Sequence, residues 1–298
     1  YGVMGGFGMG MTYTTTIAVC QKWFPDKRGL ITGIIVSALG FGGLVFTPLA
    51  NALMDSAGVM ATFQWFSLIF LVVTVVCGII IKNPPQGFKP EGWTPPAPKE
   101  GAAIRQDLTP GQTLKTPQYY MVTLAMLLAC AAGLMVIPFA KILGTDGGLT
   151  PEVAAVGVMI ISGFNSAGRL FWGWVSDRLG RKATLIILMV IAAAAAPVAA
   201  LVKGAWVLVL IGAVGFSYGG FLGVFPALTA DFFGIKNMGM NYGMVLMGFG
   251  IGAVASSYVA AYFKELSGGF LVPFLIASAA AAVAAVLTAF LKPPKKRA

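Results

Sequence analysis

Arg169 stands inside an apolar run, in the segment FNSAGRLFWGWVSDRLGRK (residues 164–182), eight residues ahead of Asp177 and its basic neighbours Arg178, Arg181 and Lys182. Eight helical residues place it about 12 Å along the axis from Asp177. A guanidinium at such depth in an apolar span costs at least ~2.5–3.5 kcal/mol on insertion scales, so it is expected to face a cavity and meet an anion. Asn165, four residues earlier, falls on the same helix face. An arginine fork with an amide beside it suits a carboxylate. The competing readings are that Arg169 snorkels to the interface or pairs with Asp177; contact with a bound carboxylate is the expectation carried forward. Tyr13, Tyr218 and Tyr242 lie near or within glycine-rich apolar runs, where a phenol can shape a small polar pocket. Packing is the alternative for each, and the stronger one for Tyr242, which adjoins a loop. Asp177 with Arg178, Arg181 and Lys182 makes a turn of one acid and several bases, able to pair with neighbouring helix ends and to release them.

Other chemistry is poorly served. The chain has no histidine, which excludes histidine proton relays and histidine metal sites in these residues. Cys20, Cys77 and Cys130 each sit in an apolar run and read as packing residues rather than a disulfide or metal framework. No nucleophile and base can be paired from the spans, so an enzyme is not expected, nor a metal or a cofactor.

The elements that must position these residues follow from composition. Of 298 residues, 58% are hydrophobic and 10% charged, with a mean hydropathy of +0.86. This describes an all-α membrane protein embedded in a lipid bilayer. The net charge of +10 lies between apolar spans rather than on one polar face, which excludes nucleic acid as a partner. Apolar stretches of membrane length fall at about 1–20, 30–50, 61–81, 118–140, 153–174, 183–202, 205–226, 240–262 and 270–291, predicting nine helices. Seventeen of the twenty Lys and Arg gather at one set of alternate connections, which the positive-inside rule makes cytoplasmic, together with the C-terminus. Residues 82–117 form the one long polar stretch, hold eight of the seventeen prolines and read as a cytoplasmic linker. At its end Thr116 and Pro117 have the types of an N-cap and first helical residue.

The sequence also repeats. KWFPDKRGLITGIIVSALGFGG matches DFFGIKNMGMNYGMVLMGFGIG, with Phe24 and Lys27 aligned to Phe233 and Lys236, and Gly33, Gly40 and Gly42 to Gly243, Gly250 and Gly252. Three helices then precede the linker (1–81) and six follow it (118–298). Equivalent halves imply a parent of twelve helices, and the start on Tyr1 within an apolar run reads as an internal piece of such a chain.

GWVSDRLGRK, with Gly173, Asp177, Arg178, Gly180, Arg181 and Lys182, resembles the signature between the second and third helices of a half in the major facilitator superfamily. KWFPDKRGLITG and YGGFLGVFPALTADFFGIKNMGMNYG are similar to the oxalate/formate antiporter family, whose relatives include the monocarboxylate transporters. The resemblance implies a major facilitator fold, nine of its twelve helices being present, and a secondary transporter of the plasma membrane working by alternating access. It implies that Arg169 and Asn165 bind the carboxylate, that the signature from Gly173 to Lys182 is a cytoplasmic gate, and that Asp146, in GTDGGLTPE, resembles a proton-coupling acid, although that stretch reads equally as a loop. The expected partners are a small carboxylate and either a co-transported proton or an exchanged anion; the chain is read as a monomer. Oxalate-binding members carry a second cation, a lysine, in the helix matching NYGMVLMGFGIGAVASSYVAAYF, which here contains no Lys or Arg. A monocarboxylate such as lactate or formate is therefore favoured, oxalate/formate exchange being the alternative and a transporter-like receptor or sensor the reading from another class.

Overall fold

The computed structural model describes residues 2–85, 87–90, 92 and 107–294. Helix is the regular structure throughout: α1 (Gly2–Trp23), α2 (Arg28–Ile80), α3 (Pro110–Leu114), α4 (Pro117–Val136), a short 3₁₀ turn (Ile137–Phe139), α5 (Ala140–Asp146), α6 (Pro151–Leu179), α7 (Arg181–Ala199), α8 (Ala205–Phe233), α9 (Met238–Ser267) and α10 (Leu271–Phe290). Where the termini are capped, the local chemistry is ordinary. Thr116 accepts from the Tyr119 N–H with Pro117 following, as the sequence predicts, and Thr150 with Pro151 does the same for α6.

Seven helices among the described residues are long and apolar enough to cross a bilayer, two fewer than the nine expected. Glycines and threonines dilute α1, which is not among the seven. The second difference is α2, which runs 53 residues through two predicted spans and changes direction at Gly58, where φ is +79° and ψ 168°. The repeat explains that break. At an offset of 210, α1 ends at Trp23 as α8 ends at Phe233, α2 begins at Arg28 as α9 begins at Met238, and α2 ends at Ile80 as α10 ends at Phe290. Gly58 itself corresponds to Gly268, at φ +68° the C-cap separating α9 from α10. Gly268 sits in the left-handed helical region, where an L side chain costs about 1–2 kcal/mol, and Gly58 in a region open almost to glycine alone. The two arms of α2 thus repeat α9 and α10.

The core centres on α8, which is apolar around its whole circumference and buried without interruption from Ser217 to Ala230. It packs against α6, α7 and α2, while α4 lies against α9 and α10. The neighbours Tyr119 and Tyr120 part company. Tyr120 is exposed, whereas Tyr119 is buried and its hydroxyl donates to the Met244 carbonyl at 3.3 Å. Neighbours on a helix point about 100° apart and so can meet different surroundings. Likewise Trp172 packs against the core, and Trp174 is exposed. Of the polar linker 82–117, residues 86, 91 and 93–106 lie outside the described residues.

Candidate functional site

The backbone of α6 around Arg169 is wedged between two glycine-bearing helices. On the α2 side a Cβ at Gly33 would strike the Arg169 carbonyl, and one at Gly29 would strike that of Gly173. On the α8 side a Cβ at Gly219 would strike the Asn165 carbonyl, and one at Gly223 would stand 2.7 Å from that of Arg169. Small residues at such spacing let helices approach closely within a membrane. The approach brings Arg169 within reach of α2: its Nη1 donates to the Val36 carbonyl at 2.5 Å, while its Nε donates to Asn165 Oδ1 at 3.1 Å. The Asn165 and Arg169 pairing expected from spacing is therefore present. Pairing of Arg169 with Asp177 is not; Asp177 has other partners.

The half-buried Arg169 lines a cavity of about 440 Å³ together with Tyr13 of α1 and Tyr218 of α8. The wall is otherwise apolar, with Val36, Leu39 and Phe249 among its members, and Arg169 is its one charged side chain among the described residues. With Nε and one Nη1 proton engaged, the Nη2 edge of a planar five-donor group remains for a carboxylate. Tyr242 does not line this cavity. Its side chain is fully buried, and its hydroxyl lies 3.4 Å from that of Tyr13. In this structure it stands behind Tyr13.

A second polar cluster joins α2, α6, α7 and α8 at the end of the bundle carrying most of the basic residues. Lys27, the N-cap of α2, offers no side-chain cap. The Asp177 carboxylate takes that place from α6, accepting the Gly29 N–H at 3.0 Å and the Leu30 N–H at 2.9 Å. A carboxylate at a helix N-terminus satisfies orphan donors and meets the positive end of the dipole. Arg181 binds Asp177 at 2.6 Å, donates to Ser176 Oγ at 2.6 Å and reaches Asp231 at 3.3 Å. Asp231 in turn meets the buried Arg28 of α2 at 2.9 Å. Two acids and two arginines from four helices thus meet at this end.

The remaining predicted residues fall elsewhere. Gly173 is the close contact with Gly29. Arg178 is exposed and lies 4.1 Å over the Trp174 ring, outside the ion-pair cluster. Lys182 donates to the carbonyls of Ala289 and Leu291, capping the end of α10. Asp146 ends α5 on the surface and does not line the Arg169 cavity. The pairing of Arg28 with Asp231 is one that sequence reasoning missed. Their positions at helix ends are the one signal that pointed to it.

Apolar helices of membrane length, a half-buried arginine at a half-open cavity and a charged seam at one end describe a multi-pass membrane protein. The chain belongs to the Major Facilitator Superfamily, which matches residues 1–169 and 122–298. It is 34% identical over 256 residues to the MFS-type transporter YhjX of Escherichia coli, covering 85% of this chain and 62% of that one. It is 30% identical over 303 residues to the oxalate:formate antiporter of Oxalobacter formigenes, covering 97% and 68%. Monocarboxylate transporter 13 of Bos taurus is 25% identical, over 93% of this chain and 63% of its own. The chain therefore spans about two thirds of the length of these relatives. The fold is similar to that of the E. coli fucose:proton symporter FucP, with a TM-score of 0.71 at 13% identity over 95% of this chain and 73% of that one.

Proposed function

We propose that the protein is a secondary active transporter that moves a small monocarboxylate across the plasma membrane by alternating access. In this reading residues 1–81 and 118–298 belong to two helical bundles joined by the linker 82–117, and the basic end and C-terminus face the cytoplasm. Arg169 anchors the carboxylate, Asn165 and Val36 orient the guanidinium, and Tyr13 and Tyr218 complete the pocket. The cluster of Asp177, Arg181, Asp231 and Arg28 is the cytoplasmic gate, closed when the pairs are made.

The observation that carries this reading is the geometry of Arg169, whose Nε and Nη1 are tied to Asn165 and Val36 while the charge borders a cavity with two phenols and no other ionised lining group among the described residues. One guanidinium matches one carboxylate. The oxalate:formate antiporter among the relatives supports a second reading, exchange of dicarboxylate for monocarboxylate, but a dianion would leave one charge unmatched against this wall. Uptake of lactate, formate and oxalate is to be compared for the intact protein and its Arg169→Ala and Arg169→Lys variants. Loss of a charged hydrogen-bonding partner is expected to lower lactate or formate uptake about 10- to 150-fold. Undiminished transport of every carboxylate by Arg169→Ala would refute the assignment, and preferred transport of oxalate would favour the second reading.

A further inference from the structure

The turn between α8 and α9 is held by residues that belong to neither helix. Asp107 Oδ1 accepts the backbone N–H groups of Ile235 at 2.8 Å and Lys236 at 3.0 Å. Next to it, Leu108 donates its N–H to the Phe233 carbonyl at 2.9 Å, taking one of the orphan acceptors at the end of α8. The Leu108 carbonyl accepts from the side-chain amides of both Asn237 (3.0 Å) and Asn241 (3.1 Å). Asn241, fully buried, also accepts from the hydroxyl of the equally buried Thr113 at 3.2 Å. The segment is itself preformed, because Thr109 and Gln112 complete a reciprocal capping box at the start of α3.

Two features give this clasp a consequence beyond packing. Phe233 lies two residues beyond Asp231, the acid shared by Arg28 and Arg181. Asn241 directly precedes Tyr242, whose hydroxyl meets Tyr13 at the cavity. The clasp therefore fixes the C-terminal end of α8 and the first turn of α9, from which one gate residue and one cavity-supporting residue project. We infer that residues 107–113 are an anchoring strap for the gate, with Asp107 and Asn237 as positioning residues that hold Asp231 in register with Arg28 and Arg181.

The inference rests on the proposed gate but not on any substrate, so a distance measurement tests it. Spin labels at Phe24→Cys and Met240→Cys, both exposed and flanking the two repeat-related turns, report the separation of the basic end in the intact protein in nanodiscs. Asp107→Asn, isosteric and on an exposed residue, removes the charge from a capping interaction and is expected to raise the open-to-closed ratio roughly three- to tenfold. Asp107→Glu restores the closed distribution, and Asn237→Ala opens it in the same direction as Asp107→Asn. Because the strap acts through Asp231, adding Asp107→Asn to Asp231→Asn produces little further opening. Unchanged distances in folded Asp107→Asn and Asn237→Ala proteins, or effects of Asp107→Asn and Asp231→Asn that add in full, would overturn the strap. A failure of the Arg169 assignment is distinguishable, since it shows in uptake and leaves these distances responsive.

Discussion

Gly33→Ala is the sharpest perturbation of the seam between α2 and α6. A Cβ there falls well inside contact distance of the Arg169 carbonyl oxygen and 3.1 Å from both the Arg169 carbonyl carbon and the Leu170 Cα. All three are backbone atoms, so no side chain can rotate away. Relaxing the clash to a normal C···O separation of about 3.3–3.6 Å moves the helices apart by roughly 1 Å. The Arg169 to Val36 bond, now 2.5 Å, then lengthens to about 3.5 Å and ceases to be a good hydrogen bond. The Asp177 contacts with Gly29 and Leu30 at 3.0 and 2.9 Å reach about 4 Å. Overpacking of this kind typically costs about 1–3 kcal/mol, which converts to roughly a 5- to 150-fold shift from the closed toward the open basic end. Labels at Lys27→Cys and Leu179→Cys, exposed residues on the two sides of the seam, read that shift as a population of longer distances. Gly42→Ala is the control, because a Cβ there meets nothing within 4 Å; helix propensity alone makes it neutral or slightly stabilising. Equal distance distributions for Gly33→Ala, Gly42→Ala and the parent protein would refute the argument that glycine is required for this approach.

Two further outcomes follow from the polar contacts. Arg28→Asp and Asp231→Arg, made singly, each leave a buried or half-buried charge beside a like charge and are expected to abolish closure of the basic end; the double swap should recover part of it, measured by the same label distances. If the double variant is as open as the worse single one, the pair is not a gate contact. Tyr242→Phe removes the hydroxyl partner of Tyr13 while keeping the ring, and a lost hydrogen bond of about 0.5–1.5 kcal/mol predicts a roughly 2- to 12-fold rise in the KM for the transported carboxylate with little change in maximal rate. A changed maximal rate at constant KM would move Tyr242 from pocket support to the conformational step.

Much of the architecture was legible along the chain because membrane helices announce themselves by apolar length. The start of α4 at Thr116 and Pro117, the i,i+4 partnership of Asn165 with Arg169 and the repeat aligning Gly33 with Gly243 are all short-range or periodic features. The break at Gly58 falls in the connection between the spans expected at 30–50 and 61–81; its match to Gly268 becomes visible once the repeat is extended through the α10-like arm. The orientation of adjacent residues was illegible by type, as the opposite fates of Tyr119 and Tyr120 show.

The sequence by itself determined that this is an all-α chain of membrane-length helices with a deep arginine and a basic end, because those properties depend on residue type and on spacing of a few residues. The tertiary structure decided which partners the charged and phenolic groups find: Val36 for Arg169, Tyr242 behind Tyr13, Asp231 for both Arg28 and Arg181, and the α8–α9 turn for Asp107. Most of these pairs are separated by more than a hundred residues. The contact of Arg169 with Val36 depends on how closely α6 can lie between α2 and α8, and that distance is set by glycine backbones in contact, a property of two facing surfaces that no single stretch of sequence contains.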